Sequence, residues 1–375
     1  MKTRFSAMTR AMMLATVLAP ASVAFAQGTF VQIYGTLNSD LEYVEAKGAR
    51  GGLPGQMRVS SNLSNIGFRG GEDLGNGLKA VWQVESAINL DTGNGNLGGR
   101  NSNVGLEYAP LGLIFYGIWE TPYKTATSVP LDPFFTNTIA GANSILGNGF
   151  GAGANGAAPQ SFDRRQFNSV AYWTPNWNGF FARFQYGTEQ QAGTLATTNS
   201  FLVSGSAAYE NGPLYLVLAG EDHYEYFGPG TNDYAVKGGI GYTIGPARLR
   251  GLIEYLRFEP TPSTNVSRVA WQLAGTYNIG GGQFRLSYIH ANNAQGNATV
   301  NLGGLGNPTS GLETSANQVS VGYGYFLSKR TEVYAIGTYL SNGAGAIYNL
   351  STNPLAGLTQ GQHPMGFGLG IKHSF

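Results

Sequence analysis

Apolar and polar residues alternate along much of the chain with a period of two. In the first segment the apolar residues are Val31, Ile33, Leu37, Leu41 and Tyr43, and the polar residues between them are Gln32, Thr36, Asn38, Asp40 and Glu42. In the second, apolar Leu78, Ala80, Trp82 and Val84 alternate with Lys79, Gln83 and Glu85. In the third, apolar Val319, Val321, Tyr323, Tyr325 and Leu327 have the opposite parity to Gln318 and Ser320. A strand places alternate residues on opposite faces, whereas a helix would scatter them around its axis. The pattern therefore predicts an all-β chain whose strands each have one apolar and one polar face.

Turn signals divide these segments at fairly regular intervals. Breaks rich in Gly, Asn or Pro lie at 47–55, 70–77, 89–99, 109–112, 174–179, 211–213, 245–246 and 280–282. They leave about sixteen strands, and short connections alternate with long ones at 120–164, 294–314 and 342–362. Short turns at one end and long loops at the other are typical of a transmembrane β-barrel. Closure of an even number of strands also removes the sheet edges.

Composition narrows the class of protein. Charged residues make up only 11% of the 375 positions, against about 25% in an average soluble domain, and 56 residues are Gly. The aromatic content of 12% argues against a disordered chain. Cys is absent, which excludes disulfides, thiolate metal sites and Cys nucleophiles. A cytosolic enzyme would be a poor match for this composition.

The first 26 residues are typical of a secretory signal peptide. Three basic residues precede an apolar stretch, and Ala24-Phe25-Ala26 forms a small-residue cleavage site, so we expect the mature domain to span 27–375. No later stretch of about 20 apolar residues remains, which excludes a bundle of membrane helices. Without the three basic residues of the signal, 19 basic and 21 acidic residues remain of the 22 and 21. This balance gives no reason to expect a nucleic-acid partner.

Aromatic residues at strand ends separate a membrane barrel from its main alternative, a secreted β-sandwich with an adhesive role. They cluster at Phe30 and Tyr43, at Phe180 and Tyr186, and at Phe367 and Phe375. Such girdles mark the two membrane interfaces of a barrel. On a soluble sandwich the same exposed rings would promote association.

Several motifs match one family along the whole mature chain. They are Ile33-Tyr34-Gly35, the stretch 64–75 (SNIGFRGGEDLG), Leu131-Asp132-Pro133-Phe134, the stretch 327–332 (LSKRTE) and the terminal stretch 368–375 (GLGIKHSF). In these features the sequence resembles the general porins of Gram-negative outer membranes, most closely the trimeric sixteen-stranded porins of β-proteobacteria.

The resemblance implies a sixteen-stranded antiparallel barrel in the outer membrane, with the third loop folded inward. It implies a homotrimer with one water-filled channel per subunit, through which small hydrophilic solutes and ions diffuse passively. It implies contact with outer-membrane lipid and lipopolysaccharide, and recognition of the strand ending at Phe375 by the assembly machinery. It implies no cofactor, no metal and no catalytic residue, so we expect no enzyme.

The resemblance further implies a pore constriction with basic residues on the wall facing acids on the third loop. The candidate constriction residues are Arg100, Arg164, Arg165, Asp132, Glu120, Asp163, Ile118 and Trp119. Arg165 has the opposite parity to Val170 and Tyr172, which points it toward the lumen, whereas the direction of Arg100 is open. Asp132 precedes Pro133, so a simple turn start is the alternative to a pore role.

Two basic positions common in the family are missing. Asn65 and Ile118 stand where arginines are usual, and Trp119 follows Ile118. We therefore expect a weaker anion preference than the family shows. The alternative function is a substrate-specific channel for neutral or partly apolar solutes.

Motifs for other functions are weak. The stretch 151–156 fits G-x-G-x-x-G without the strand and helix that a nucleotide site needs. The stretch 91–96 suggests a calcium loop but lacks the glutamate at position twelve. An outer-membrane enzyme would require a catalytic set at one rim, and no such set is recognisable. The stretches 151–156 and 91–96 are both interpreted as loops.

Overall fold

The computed structural model describes residues 29–48, 51–134, 138–153, 159–188 and 199–375. The expected signal peptide and the start of the mature chain at Gln27 lie outside these ranges, as does part of the 151–156 motif. The strands are β1 Phe30–Lys47, β2 Leu53–Ser61, β3 Asn65–Gly75, β4 Leu78–Ile88, β5 Gly95–Asn96, β6 Ser102–Tyr108, β7 Gly112–Glu120, β8 Phe150–Gly153, β9 Asp163–Trp173, β10 Phe180–Gly187, β11 Phe201–Asn211, β12 Leu214–Tyr224, β13 Asn232–Ile244, β14 Ala247–Thr261, β15 Thr264–Ile279, β16 Gly282–Ala291, β17 Gln295–Gly296, β18 Ala316–Phe326, β19 Thr331–Asn342 and β20 His363–Ser374. Helix α1 spans Pro122–Leu131, and two single-turn helices span Ala142–Ser144 and Leu146–Asn148.

The strands close into one antiparallel barrel. β1 pairs with the last strand, β20, over a ladder from Thr36↔Ser374 to Lys47↔His363. The terminal Phe375 extends it, because its backbone N–H donates to the Gly35 carbonyl at 3.0 Å. β2 and β3 both pair with β1 and together count as one strand of the barrel. β5 and β6 both pair with β4 and likewise count as one strand. The sixteen-stranded barrel expected from the sequence is confirmed.

The alternation of residue types separates the two faces of the wall. Apolar side chains such as Val31 and Leu218 are exposed on the outside, while Asn38, Glu42 and Gln318 are buried on the inside. This arrangement is the reverse of a soluble sandwich, whose apolar faces would pack together. It suits a wall with hydrocarbon outside and water or protein inside.

No helix in the described ranges is long and apolar enough to cross a membrane.

The connections alternate in length as expected except at 262–263, where two residues join β14 to β15, and one expected break also needs correction. The stretch 70–77 was expected to be a break, but β3 continues to Gly75 and only Asn76 and Gly77 form the turn. Gly70 instead allows the backbone of β1 and the Trp82 ring of β4 to pack closely against β3. A Cβ atom there would lie 2.6 Å from the Phe30 carbonyl oxygen and 2.7 Å from the Trp82 ring.

The described parts of the third loop, 121–134, 138–153 and 159–162, fold into the barrel against its inner wall. Helix α1 begins at a Thr121 cap, whose side chain accepts a hydrogen bond from the Lys124 backbone N–H, and Pro122 occupies the first turn. Tyr123 fixes the helix to the wall, since its backbone N–H donates to Ser204 Oγ at 3.0 Å and its hydroxyl donates to Glu254 at 3.0 Å.

Apolar anchors hold the rest of the loop. Leu131 is fully buried against Gly239, Phe134 packs over Gly322, and Ile139 packs over Gly366. These wall glycines leave room for the anchors, because a Cβ at Gly322 would lie 2.9 Å from the Phe134 ring. The described parts of the loop lie along β9–β15 and β18–β20, and Ile139 also packs near Val44 of β1. The side of the lumen formed by β3–β7 is left open at the turn end.

Replacing Leu131 with Ala should loosen the third loop without opening the barrel. Removing a buried leucine costs about 2–5 kcal/mol of packing. We expect faster proteolytic cleavage within 121–162 and noisier single-channel currents. Leu218→Ala is the matched control, since Leu218 is 71% exposed on the outer face. Equal cleavage rates in the two variants would show that Leu131 does not anchor the loop.

Candidate functional site

Four charged side chains meet where the third loop leaves the barrel wall. Lys124 Nζ lies 3.2 Å from Glu120 Oε1 and 3.0 Å from Asp163 Oδ1, and Arg165 Nη2 lies 3.0 Å from Glu120 Oε1. Arg165 Nε also donates to Asn101 Oδ1 at 3.0 Å. The groups come together because Glu120 ends β7, Lys124 lies in the first turns of α1, and β9 begins beside Glu120.

A second ion pair continues this polar region. Arg100 lies in the connection before β6, and its Nε donates to Glu85 Oε1 at 2.6 Å. Its backbone N–H also donates to the Glu85 carbonyl at 3.0 Å. Glu85 additionally accepts a hydrogen bond from the Tyr34 hydroxyl at 3.1 Å. The open direction of Arg100 is thereby settled: it turns toward Glu85 on β4.

Asp132 is bound into the backbone of the third loop. Its Oδ1 accepts a hydrogen bond from the Phe134 N–H at 2.9 Å, and its Oδ2 accepts one from the Ala142 N–H at 2.8 Å. Burial raises the pKa of this carboxyl to about 6, although both hydrogen bonds oppose the shift. No basic side chain of the described ranges forms an ion pair with it. These contacts match the turn-start alternative.

Three further candidates, Arg164, Trp119 and Ile118, lie in different surroundings. Arg164 is fully buried, with its guanidinium 4.9 Å from the centre of the Tyr226 ring. Trp119 packs edge-to-face on Phe115 at 5.2 Å and lines the lumen. Ile118 has the parity of Ile114 and Tyr116, which are exposed on the outer surface. Glu120 has the same parity and turns into the lumen, so alternation alone does not assign the half-buried Ile118, and its place in the pore lining stays a prediction.

Three inward-facing arginines near the turn end were not among the sequence candidates. Arg183 Nη1 donates to Thr125 Oγ1 of α1 at 3.4 Å, Arg250 Nε donates to the Pro130 carbonyl at 3.3 Å, and Arg248 precedes Arg250 on the same face of β14. Across the described ranges none of the three has a carboxylate in ion-pair contact. The alternation of residues along β10 and β14 assigns all three arginines to the inner face, and this is the sequence signal that could have identified them.

The part of the chain that the structure describes holds no group of three or more His, Asp or Glu side chains able to bind a metal ion. The charged groups at the root of the third loop form pairs with one another. Such a lining can select ions by charge.

A family model described as Gram-negative porin matches residues 11–345. The chain belongs to the Gram-negative porin family. It forms a channel in the Gram-negative outer membrane, which it crosses as a multi-pass barrel. The family consists of channels rather than enzymes.

Individual relatives and solved porin structures align with nearly the whole length of this chain. Outer membrane porin protein 32 of Delftia acidovorans is 28% identical, and the alignment covers 98% of this porin and 100% of the relative. The solved structure of an anion-selective porin from Comamonas acidovorans superimposes with a TM-score of 0.76 at 27% identity, over 93% of this chain and 100% of that one. The trimer form of OmpT from Vibrio cholerae, 17% identical, shares the fold with a TM-score of 0.63 over 93% and 100% of the two chains.

The raised pKa of Asp132 predicts a pH-dependent third loop. The folded loop binds a proton more tightly than the unfolded chain, whose aspartate pKa is near 3.8. Loop packing should therefore be most stable below pH 4 and lose up to about 3 kcal/mol as the pH rises through 6. We expect better proteolytic protection of 121–162 at pH 5 than at pH 7.5 in the wild type, and a smaller difference in Asp132→Asn. An identical pH dependence in both proteins would contradict this assignment.

Proposed function

We propose that this porin is a weakly anion-selective general diffusion channel that works as a homotrimer. The observation that carries the proposal is the charge balance at the root of the third loop. Three basic groups, Arg100, Lys124 and Arg165, are matched there by three acids, Glu85, Glu120 and Asp163.

Paired charges set only a weak ion preference. Each of the six groups has an opposite charge within 3.2 Å, so the field that a passing ion feels is small beyond a few ångströms. A family member with unpaired arginines at its narrowest point would repel cations more strongly. This balance supports the weaker anion preference expected from the missing arginines at Asn65 and Ile118.

The remaining preference would come from the turn end of the lumen. Arg183, Arg248 and Arg250 form no ion pair in the described chain, so they add positive potential below the third loop. The sign agrees with the relative described as anion-selective. In this proposal Asp132 holds the loop, and Arg164 stays buried beside Tyr226 rather than facing solutes.

The second candidate function, passage of neutral or partly apolar solutes, is favoured by apolar side chains in the lumen. Val129 on α1 is 67% exposed, and Trp119 lines the cavity at the turn end of the lumen. Apolar groups beside a weak field favour solutes without strong charge. This candidate refines the diffusion function and does not require a cofactor or catalysis.

The assembly proposal comes from the family and from the outer surface. The continuous apolar exterior suits contact with lipid, lipopolysaccharide and neighbouring subunits, and the trimer form of OmpT shares this fold. We further propose export through a signal peptide at 1–26. The assembly machinery would then recognise the terminal strand ending at Phe375.

Replacing Glu120 with Gln tests the charge balance. The change leaves the six groups with a net charge of +1 and keeps a hydrogen-bonding side chain. One unit charge at 4 Å is worth about 1 kcal/mol in water, which lowers cation entry and raises anion entry by about fivefold each, so we expect the cation-to-anion permeability ratio to fall by up to about thirtyfold. The measurement is the reversal potential in planar bilayers under a salt gradient near 0.1 M, where screening is moderate.

Glu259→Gln is the matched control, since Glu259 pairs with Arg257 at the loop end of β14 rather than with one of the six groups. It should leave the reversal potential unchanged. A strong anion preference of the wild type, or equal reversal potentials in wild type and Glu120→Gln, would refute the proposal.

The trimer makes a separate prediction. Insertions of the wild type into a planar bilayer should appear as groups of three equal conductance steps, and amine cross-linking in detergent should give a band at three times the subunit mass. Single, unclustered steps together with a monomer band would exclude the homotrimer.

A further inference from the structure

A cavity of about 770 Å³ opens inside the barrel at its turn end, on the side that the third loop leaves free. Its volume lies within the range of about 300–1,000 Å³ that is usual for small-molecule sites. One wall is apolar and comes from β7 and β9, where Leu113, Phe115, Trp119 and Trp173 point inward. The opposite wall is polar.

The apolar wall presents aromatic rings to the lumen. Phe115, Trp119 and Trp173 contact one another edge-to-face, with centroids 5.1–5.3 Å apart and interplanar angles of 62–85°. Phe115 is buried beneath the other two, which stay half-exposed. Arg183 covers one face of Trp173 at 4.8 Å. Indole surface facing a water-filled lumen is costly unless a solute covers it.

The polar wall carries one exposed cation. Arg69 on β3 is exposed, and its Nε donates to Gln32 Oε1 at 3.0 Å. No carboxylate of the described residues forms an ion pair with it. Gln83 and Asn103 follow Arg69 as register partners on β4 and β6 and add amide groups. An arginine with free N–H groups in a site of this kind matches a carboxylate.

The two walls lie at a suitable separation. β3 and β7 are three strand intervals apart, which is about 14 Å along the wall. The side chains of Arg69 and Trp119 both project inward across this distance, leaving room for a ring and its carboxylate. Glu107, on the same cavity wall, would repel a second carboxylate.

We infer that this cavity binds aromatic monocarboxylates, with the ring against Trp119 and the carboxylate at Arg69. The inference rests on the proposed diffusion function and names one class of solute that the channel would hold briefly during passage. It also explains why a pore with balanced charges at the loop root keeps aromatic rings and an arginine together below it.

The test uses the folded wild-type porin in planar bilayers at fixed KCl. Potassium benzoate is titrated from the turn side, and cyclohexanecarboxylate serves as a control of equal charge and similar size without an aromatic face. We expect saturable block of the chloride current by benzoate and weaker block by cyclohexanecarboxylate. Trp119→Leu should raise the half-blocking benzoate concentration roughly threefold to tenfold, since aromatic pairing is lost while apolar volume is kept.

Further variants keep the test decisive. Arg69→Gln changes an exposed side chain, is expected to fold normally, and should weaken block to a similar degree. Trp119→Phe retains a ring and should give an intermediate value if Trp119→Leu fails to fold. Trp271→Leu, in the middle of β15, and Arg257→Gln, toward the loop end of β14, are matched controls outside the cavity lining and should behave as wild type.

The outcomes separate this inference from the proposed function. Unsaturable benzoate currents with normal KCl conductance, or equal block in wild type, Trp119→Leu and Arg69→Gln, would overturn the binding site and leave the diffusion channel standing. Absence of any KCl current from folded protein, as judged by heat-dependent gel mobility, would instead overturn the channel function itself.

Discussion

The structure depends on the pairing of the first strand with the last. In hydrocarbon an unpaired backbone N–H or C=O costs several kcal/mol, so a sheet can cross a membrane only if it closes on itself. Here the ladder between β1 and β20, completed by the bonds between Gly35 and Phe375, removes both edges. Once the wall is closed, the alternation of side chains divides the chain into an apolar exterior and a polar interior.

The closed wall leaves a lumen too wide to select solutes by itself, and the third loop reduces it. The loop is held by complementary shapes and charges. Leu131 and Phe134 fill space that glycines leave on the wall, and buried Glu254 accepts hydrogen bonds from the Gly147 N–H at 3.0 Å and from Tyr123. Fixing the loop on one side assigns the pore to the other side, where β3–β7 and the start of β1 carry the polar and aromatic lining.

Charge compensation is the main physical feature of the narrow region. A buried cation without a partner would be costly, so Lys124, almost fully buried, lies between Glu120 and Asp163. The same pairs that stabilise the root of the loop reduce its field. Stability of the loop and weak ion selectivity thus have one cause, and the unpaired arginines nearer the turn end are left to set the sign of the remaining potential.

Much of this architecture was predictable from the sequence. The period of two, the turn residues and the terminal strand predict a sixteen-stranded barrel, because strand periodicity and turn chemistry are local properties. The places where prediction failed are tertiary. Gly70 is a residue type typical of turns, yet it lies within β3 and leaves room for the Trp82 ring of the neighbouring strand β4. The candidates Glu120, Asp163 and Arg165 do come together, yet their central partner Lys124 was missed, since only the fold of the loop brings it between them. The sequence by itself determined the wall, because every strand carries its own alternation. Only the tertiary structure decided which charges meet in the lumen, because those contacts join residues from the loop and the wall that no local period relates.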